Sequence, residues 1–182
     1  MITRPRLAML LACVLATPLS LLAQKTTQVH PGQAGSPHVR TEWMVGGASI
    51  SIEYGRPYLK GRTIGKDVAP YGQVWRTGAD EATTLKTDAI LVFGSVTLAP
   101  GTYTLWTLPA QGAWKLIVNK QTGQWGTQYS QAQDLGRIDM KVDAASPPAE
   151  QVTFGIDAAS GGGTLKVEWG SVRASVPFTV KK

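Results

Sequence analysis

Residues 172–180, VRASVPFTV, alternate apolar with other residues over their whole length. Successive side chains of a β-strand point to opposite faces of the sheet, so this alternation predicts a strand with one buried face. Pro177 falls on the opposite face. Proline has no N–H to donate to a ladder, so the strand is predicted to lie at an edge or to be bulged there. The apolar positions are Val172, Ala174, Val176, Phe178 and Val180.

The same period of two recurs upstream. Residues 48–54, ASISIEY, place Ile50, Ile52 and Tyr54 on one face, and Gly46-Gly47 before them predicts a tight hairpin. No helical stripe is visible beyond the N-terminal segment. The pattern predicts an all-β domain, an antiparallel β-sandwich or partly closed barrel of about ten short strands. Further predicted strands are 82–87, 90–93, 95–98, 101–108, 114–119, 138–142, 151–156 and 165–169.

The N-terminal residues resemble a bacterial export signal. Arg4 and Arg6 precede an apolar run over 7–22, and Ala23 is a small residue suited to cleavage. The run is shorter than the roughly 20 residues that a membrane-spanning helix needs. We therefore predict a signal peptide over 1–23 and a secreted, periplasmic or extracellular protein with no stable membrane span. Lipid anchoring at Cys13 is the alternative. Residues 24–40 are predicted to be a flexible lead-in, and 41–182 a single β-sandwich domain.

Composition argues against several chemistries. Cys13 is the only cysteine and falls within the predicted signal peptide, which argues against thiol catalysis and thiolate metal sites. The only histidines, His30 and His38, lie in the lead-in, and no G-x-S-x-G motif occurs. Without a close histidine pair or a calcium-loop motif, we predict no metal and no cofactor. The net charge of +6 is dispersed, so no nucleic-acid interface is expected.

Two long irregular segments, 55–81 and 119–137, interrupt the strands. Long irregular loops in compact domains tend to be functional. Trp75 and Trp125 lie in them beside cationic and amide side chains, an arrangement that either stacks a sugar ring or anchors the loop with a small core. If the loops converge, the candidate ligand-binding residues are Arg56, Tyr71, Trp75, Arg76, Glu81, Asn119, Lys120 and Trp125.

Asp80 and Glu81 are the carboxylates of the first loop. Neighbours in an extended segment point to opposite faces, so they form a poor acid–base pair with each other. One interpretation is that either forms an ion pair with Arg76 or Arg56. The other is a glycosidase acid, which needs a second carboxylate roughly 5 to 9 Å away. The available partners are Asp67, Asp134 and Asp139.

Several motifs are similar to those of a bacterial family called domain of unknown function 2911. They are SPH at 36–38, IEYGRP at 52–57, KGR at 60–62, PYGQVWRTGADEATT at 70–84, APGTYTL at 99–105 and NKQTGQWG at 119–126. The resemblance runs from about 36 to 180 and implies export and an uncharacterised function, with no reaction. Many members have Asn at the position of Asp80, and they often have an aromatic and a second Gly near Lys66.

The favoured hypothesis is a non-catalytic binding module of the cell envelope, with a carbohydrate or an envelope protein as partner. Arginine would supply bidentate contacts to an anionic or hydroxyl-rich ligand. A hydrolase of envelope polysaccharide, with Glu81 or Asp80 as its acid, is one alternative. A structural envelope module is the other, and it predicts a flat apolar patch without a cleft.

Overall fold

The computed structural model describes residues 24–181, so the predicted signal peptide and Cys13 lie outside the described residues. Within this range no helix is long and apolar enough to cross a membrane. One 3₁₀ turn covers Gln131–Gln133. The strands are β1 Lys25–His30, β2 His38–Val45, β3 Ala48–Gly55, β4 Thr84–Thr87, β5 Ile90–Phe93, β6 Val96–Leu98, β7 Gly101–Ala110, β8 Ala113–Asn119, β9 Asp134–Ala159 and β10 Gly162–Lys181.

All ten strands belong to one antiparallel sheet, in the order β1-β2-β3-β4-β7-β8-β9-β10-β5-β6. The predicted all-β antiparallel architecture is confirmed, and the sheet does not close into a barrel. The β2–β3 hairpin turns at Gly46-Gly47 as predicted. Both glycines have left-handed φ angles, 59° and 84°, which suit a tight hairpin turn.

The last two strands are much longer than the sequence pattern predicts. The stretches 138–142 and 151–156 are parts of the single strand β9, and 165–169 and 172–180 are parts of β10. Their pairing is irregular on both sides of Gly170, whose φ is +54°. The ribbon formed by β9 and β10 bends there. Near the end of β10, Val180 N–H donates to Gly161 O in the turn between the two strands, 2.8 Å away.

The bend produces one continuous core. The distal part of β9 packs over β3, where the rings of Tyr54 and Phe154 lie 4.8 Å apart in an edge-to-face arrangement. Strand β7 is apolar on both faces, because Leu105 faces the main core while Trp106 lies in a second small cluster with Ala82 and Ile117. That second cluster lies where the two irregular loops return to the sheet.

Strand β1 occupies part of the segment for which the sequence predicts a flexible lead-in. It pairs with β2 from Lys25↔Glu42 to His30↔His38. Five of its six residues are exposed. A polar composition suits such an edge strand, because its side chains meet water while its backbone satisfies the hydrogen-bonding groups of β2. Polarity alone therefore does not separate an edge strand from a loop.

Gly170→Ala should destabilise the protein by about 1 to 3 kcal/mol, because φ is left-handed and an added Cβ would lie 3.0 Å from Leu59 Cδ2. Gly101→Ala is the matched control, since its Cβ would meet nothing closer than 3.6 Å. The control should stay within about 0.5 kcal/mol of wild type in urea unfolding. Equal effects in the two variants would contradict the role assigned to the bend.

Candidate functional site

The two irregular loops meet in space, as the site hypothesis requires. Gly126 N–H donates to Asp80 O at 2.8 Å, and Ala82 N–H donates to Gln124 O at 3.2 Å. Glu81 and Trp125 form an isolated antiparallel bridge between these bonds. The first loop also joins β7, because Trp75 and Thr107 exchange both backbone hydrogen bonds. These contacts hold irregular backbone in a defined position.

Asn119 stabilises the second loop from within. It is fully buried. Its amide donates to Ser130 O at 2.8 Å and to Asp134 Oδ1 at 2.9 Å, and its side-chain oxygen accepts from Gln121 N–H. The predicted neighbour Lys120 pairs through its backbone N–H with Gln133 O. The structure therefore places the Asn119 side chain in the loop's own hydrogen-bond network.

Tyr129 continues that network. Its hydroxyl donates to the Asp134 carboxylate, 2.7 Å to Oδ2, and accepts from Arg137 Nη2 at 2.8 Å. Burial of the phenol, together with the Asp134 hydrogen bond, raises the pKa of Tyr129 to about 12. The ring also packs against Trp106, 5.1 Å between centroids, so the second loop has its own small core.

Arg56 and Tyr71, both predicted ligand-binding residues, make contacts within the protein. Arg56 Nε donates to Val152 O and its Nη2 to Thr153 Oγ1, each at 3.0 Å, which ties the first loop to β9. The Tyr71 ring packs on Gly65, where an added Cβ would lie 2.4 Å from the ring. The exposed Tyr71 ring therefore packs within its own loop.

A cleft of about 440 Å³ lies between residues 33–36 and the first loop. Its apolar wall is the stacked pair Trp75 and Trp169, with centroids 5.4 Å apart at 11°. The Arg62 guanidinium lies 5.9 Å over the Trp169 ring. Of the eight predicted ligand-binding residues, Trp75 and Arg76 line this cleft. Trp169 lies in the predicted strand 165–169 and was not among the predicted ligand-binding residues.

Arg76 lies between the cleft and the second loop. Its stem packs on Gly126, where an added Cβ would lie 2.1 Å from Arg76 Cδ. Its Nε is buried and has no hydrogen-bond partner within the described chain. Neither Asp80 nor Glu81 forms the predicted ion pair with Arg76 or Arg56, since both carboxylates face histidine instead. Arg76 therefore lies at the cleft wall without the carboxylate partner that the sequence predicted.

The two histidines form the cluster that sequence analysis did not expect. The β1–β2 register pairs His30 with His38, and their rings stack with centroids 4.2 Å apart. His38 is 2% exposed, and its Nε2 lies 3.2 Å from Glu81 Oε2 and 3.4 Å from Asp80 Oδ2. The left-handed φ of Asp80, +60°, turns the chain so that two adjacent carboxylates face one atom. The expectations of no close histidine pair and of diverging carboxylates were wrong.

The second carboxylates proposed for a hydrolase are engaged elsewhere. Asp67 accepts Thr63 N–H at 2.8 Å, and Asp134 belongs to the Tyr129 network. Asp139 forms an ion pair with Lys115 on the exposed face of β8 and β9. Asp80 is thus the carboxylate that the structure places with Glu81.

A family model described as protein of unknown function (DUF2911) matches residues 36–178. The chain belongs to this family. No curated protein and no solved structure matches the chain. The family match spans both irregular loops and contains His38, Asp80 and Glu81, whereas His30 precedes it. Membership supports the resemblance drawn from the sequence motifs and assigns no reaction.

Tyr129 predicts an alkaline pH dependence of stability. The pKa of folded Tyr129 is raised from 10.0 to about 12, so the folded state keeps its proton where the unfolded state has lost it. The free energy of unfolding should therefore fall as pH rises through this window, and Tyr129→Phe should show a smaller fall between pH 9 and pH 11 in urea unfolding. Tyr103→Phe, which removes a hydroxyl bonded to Ala99 O, is the control. An unchanged pH slope in Tyr129→Phe would contradict the assignment.

Proposed function

We propose that this protein is an exported, non-catalytic binding protein of the cell envelope whose cleft takes a small anionic, hydroxyl-rich ligand such as an acidic sugar. Export rests on the N-terminal pattern of Arg4, Arg6 and the apolar run that follows. The proposed class of ligand rests on the residues that line the cleft. The single observation that carries the proposal is that Arg76 lines the cleft while the carboxylates predicted to pair with it, Asp80 and Glu81, face histidine instead.

The shape of the cleft supports a ligand of one or two sugar rings. A volume of about 440 Å³ lies within the range of small-molecule sites. The half-buried Trp75, stacked on the buried Trp169, offers an apolar surface at one wall. The apolar face of a sugar ring can pack on such a surface while its hydroxyls bond to polar groups around it.

Charge supports an anionic ligand. Lys60, Arg62 and Arg76 line the cleft, against Asp67 and Asp80. The two carboxylates already accept backbone hydrogen bonds, Asp67 from Thr63 and Asp80 from Gln33, each at 2.8 Å. Arg76 Nε has no hydrogen-bond partner among the described residues. Charge-assisted hydrogen bonds from a guanidinium to a carboxylate or phosphate are among the strongest polar contacts.

A structural envelope module is less well supported, because that hypothesis predicts a flat surface without a cleft. An envelope protein is the alternative partner at the same surface. Such a partner would present an acidic side chain or terminus to Arg76. A titration with sugars alone therefore distinguishes binding of a free acidic sugar from binding of a protein.

The purified protein is titrated with neutral, uronic-acid and phosphorylated oligosaccharides, with binding followed by calorimetry and tryptophan fluorescence. Saturable binding of an acidic member is expected. Arg76→Ala should weaken it by about 10-fold or more, the value of a hydrogen bond to a charged group. Trp75→Phe should reduce the fluorescence change, whereas Trp125→Phe, outside the cleft lining, should preserve it.

Circular dichroism and urea unfolding of each variant complete the test. If Arg76→Ala unfolds the protein, Arg76 is a structural residue and the proposal loses its main support. A flat response to every sugar would contradict the carbohydrate ligand and direct the search to protein partners. Cleavage of any sugar, abolished by Glu81→Gln, would overturn the non-catalytic assignment in favour of a hydrolase.

A further inference from the structure

Four potential metal ligands converge from separate parts of the chain. His30 ends β1, His38 begins β2, and Asp80 and Glu81 lie just before β4. The ligand atoms of His30, His38 and Glu81 all lie within 4.8 Å of one another. His30 Nε2 is 3.9 Å from Glu81 Oε2, so the cluster continues from the buried His38 to the surface.

His38 Nε2 is the atom that points to a ligand. It is buried and makes no hydrogen bond of acceptable geometry, although two carboxylate oxygens lie 3.2 and 3.4 Å away. A buried ring nitrogen without an aligned partner is unfavourable, and such groups are rare in folded proteins.

We propose that His38, Asp80 and Glu81, completed by His30, bind one divalent transition-metal ion of the zinc class. Two ligands bound to the same Zn²⁺ at about 2.0 to 2.1 Å in tetrahedral geometry lie about 3.3 to 3.4 Å apart. The observed separations of His38 Nε2 from Glu81 and Asp80, 3.2 and 3.4 Å, match that spacing. This site shares Asp80 with the lining of the proposed ligand cleft, but the metal proposal does not rest on ligand binding in that cleft.

The imidazole and carboxylate ligands indicate which metal ion the site would bind. Two imidazoles with carboxylates suit Zn²⁺, Cu²⁺ or Ni²⁺, whereas Ca²⁺ and Mg²⁺ prefer oxygen ligands alone. A small site with one nearly inaccessible imidazole also favours low coordination number. Zn²⁺ is therefore the first ion to test, and Co²⁺ is its spectroscopic substitute.

Backbone N–H groups contact two of the proposed ligands, Asp80 and His30. Gln33 N–H donates to Asp80 Oδ2 at 2.8 Å and leaves the carboxylate lone pairs that a metal would use. Outer hydrogen bonds of this kind commonly hold metal ligands in place. Gly32 N–H donates to His30 Nδ1 at 3.1 Å, which places the proton of the neutral ring on Nε2. His30 therefore enters coordination only when that contact is released, so ion binding should rearrange residues 31–33.

The test uses tag-free protein stripped with a chelator. Calorimetric titration with ZnCl₂ should give one site per chain, and Co²⁺ should develop the visible absorption of a four-coordinate complex. Glu81→Gln and His30→Gln change partly exposed side chains, 50% and 40%, and each should weaken Zn²⁺ binding at least about tenfold. Asp139→Asn changes an exposed carboxylate of an ion pair elsewhere and should bind as wild type does.

His38→Gln should abolish binding, and the exposed-residue variants keep the proposal testable if that variant fails to fold. Trp75→Phe should bind Zn²⁺ normally, which separates this site from the ligand cleft. Absence of saturable binding of Zn²⁺, Cu²⁺ and Ni²⁺ would overturn the proposal and leave the cluster as a set of contacts within the protein. Binding that is undiminished in Glu81→Gln would overturn the ligand assignment, and binding undiminished in His30→Gln would remove His30 from it.

Discussion

The fold of the β9–β10 ribbon back over β3 is the constraint on which the site depends. The bend at Gly170 brings the segment around Glu150 against the first loop, where Leu59 N–H donates to Glu150 O at 2.7 Å and Lys60 N–H to Glu150 Oε1 at 2.9 Å. Trp169 Nε1 donates to the same Glu150 carbonyl. Trp169, which stacks on Trp75, is thus fixed by the bend itself. Without the bend the cleft would lose one wall.

Hydrogen bonding explains how such a long irregular loop can be ordered. Thr77 and Thr83 are fully buried, and Thr83 Oγ1 donates to Thr77 O at 3.2 Å while Thr77 Oγ1 donates to Thr107 Oγ1 at 3.1 Å. Each such bond contributes roughly 1 kcal/mol net, but leaving a buried hydroxyl unpaired would cost more. The network therefore contributes more to selecting one loop conformation than to the free energy of unfolding. That precision is what holds Trp75 and Arg76 at the cleft.

The sequence predicted what depends on local alternation. Ile50, Ile52 and Tyr54 are buried on one face as expected, since side-chain alternation follows directly from strand geometry. It did not predict that β9 and β10 run through their bends, because a bulge preserves pairing while it interrupts the period of two. It missed the histidine cluster because His30 and His38 come together only through pairing of β1, whose polar residues resemble a loop.

The sequence placed Trp75 and Arg76 among candidate site residues because loop aromatics and cations are visible in composition. It missed Trp169, whose strand position resembles ordinary packing.

Asp80 is where the cleft and the histidine cluster meet, and its charge links them. The residue lines the cleft, while its Oδ2 lies 3.4 Å from His38 Nε2. Two carboxylates facing one buried imidazole repel each other unless a positive charge lies between them. A metal ion bound between them would supply that charge. It would make the cleft wall less negative, which would favour an anionic ligand beside Arg76. Interactions between charges a few ångströms apart are strong where water is excluded. Occupation of the proposed metal site would therefore raise the affinity of the cleft for the proposed anionic ligand, and Asp80 is the residue that the two sites share.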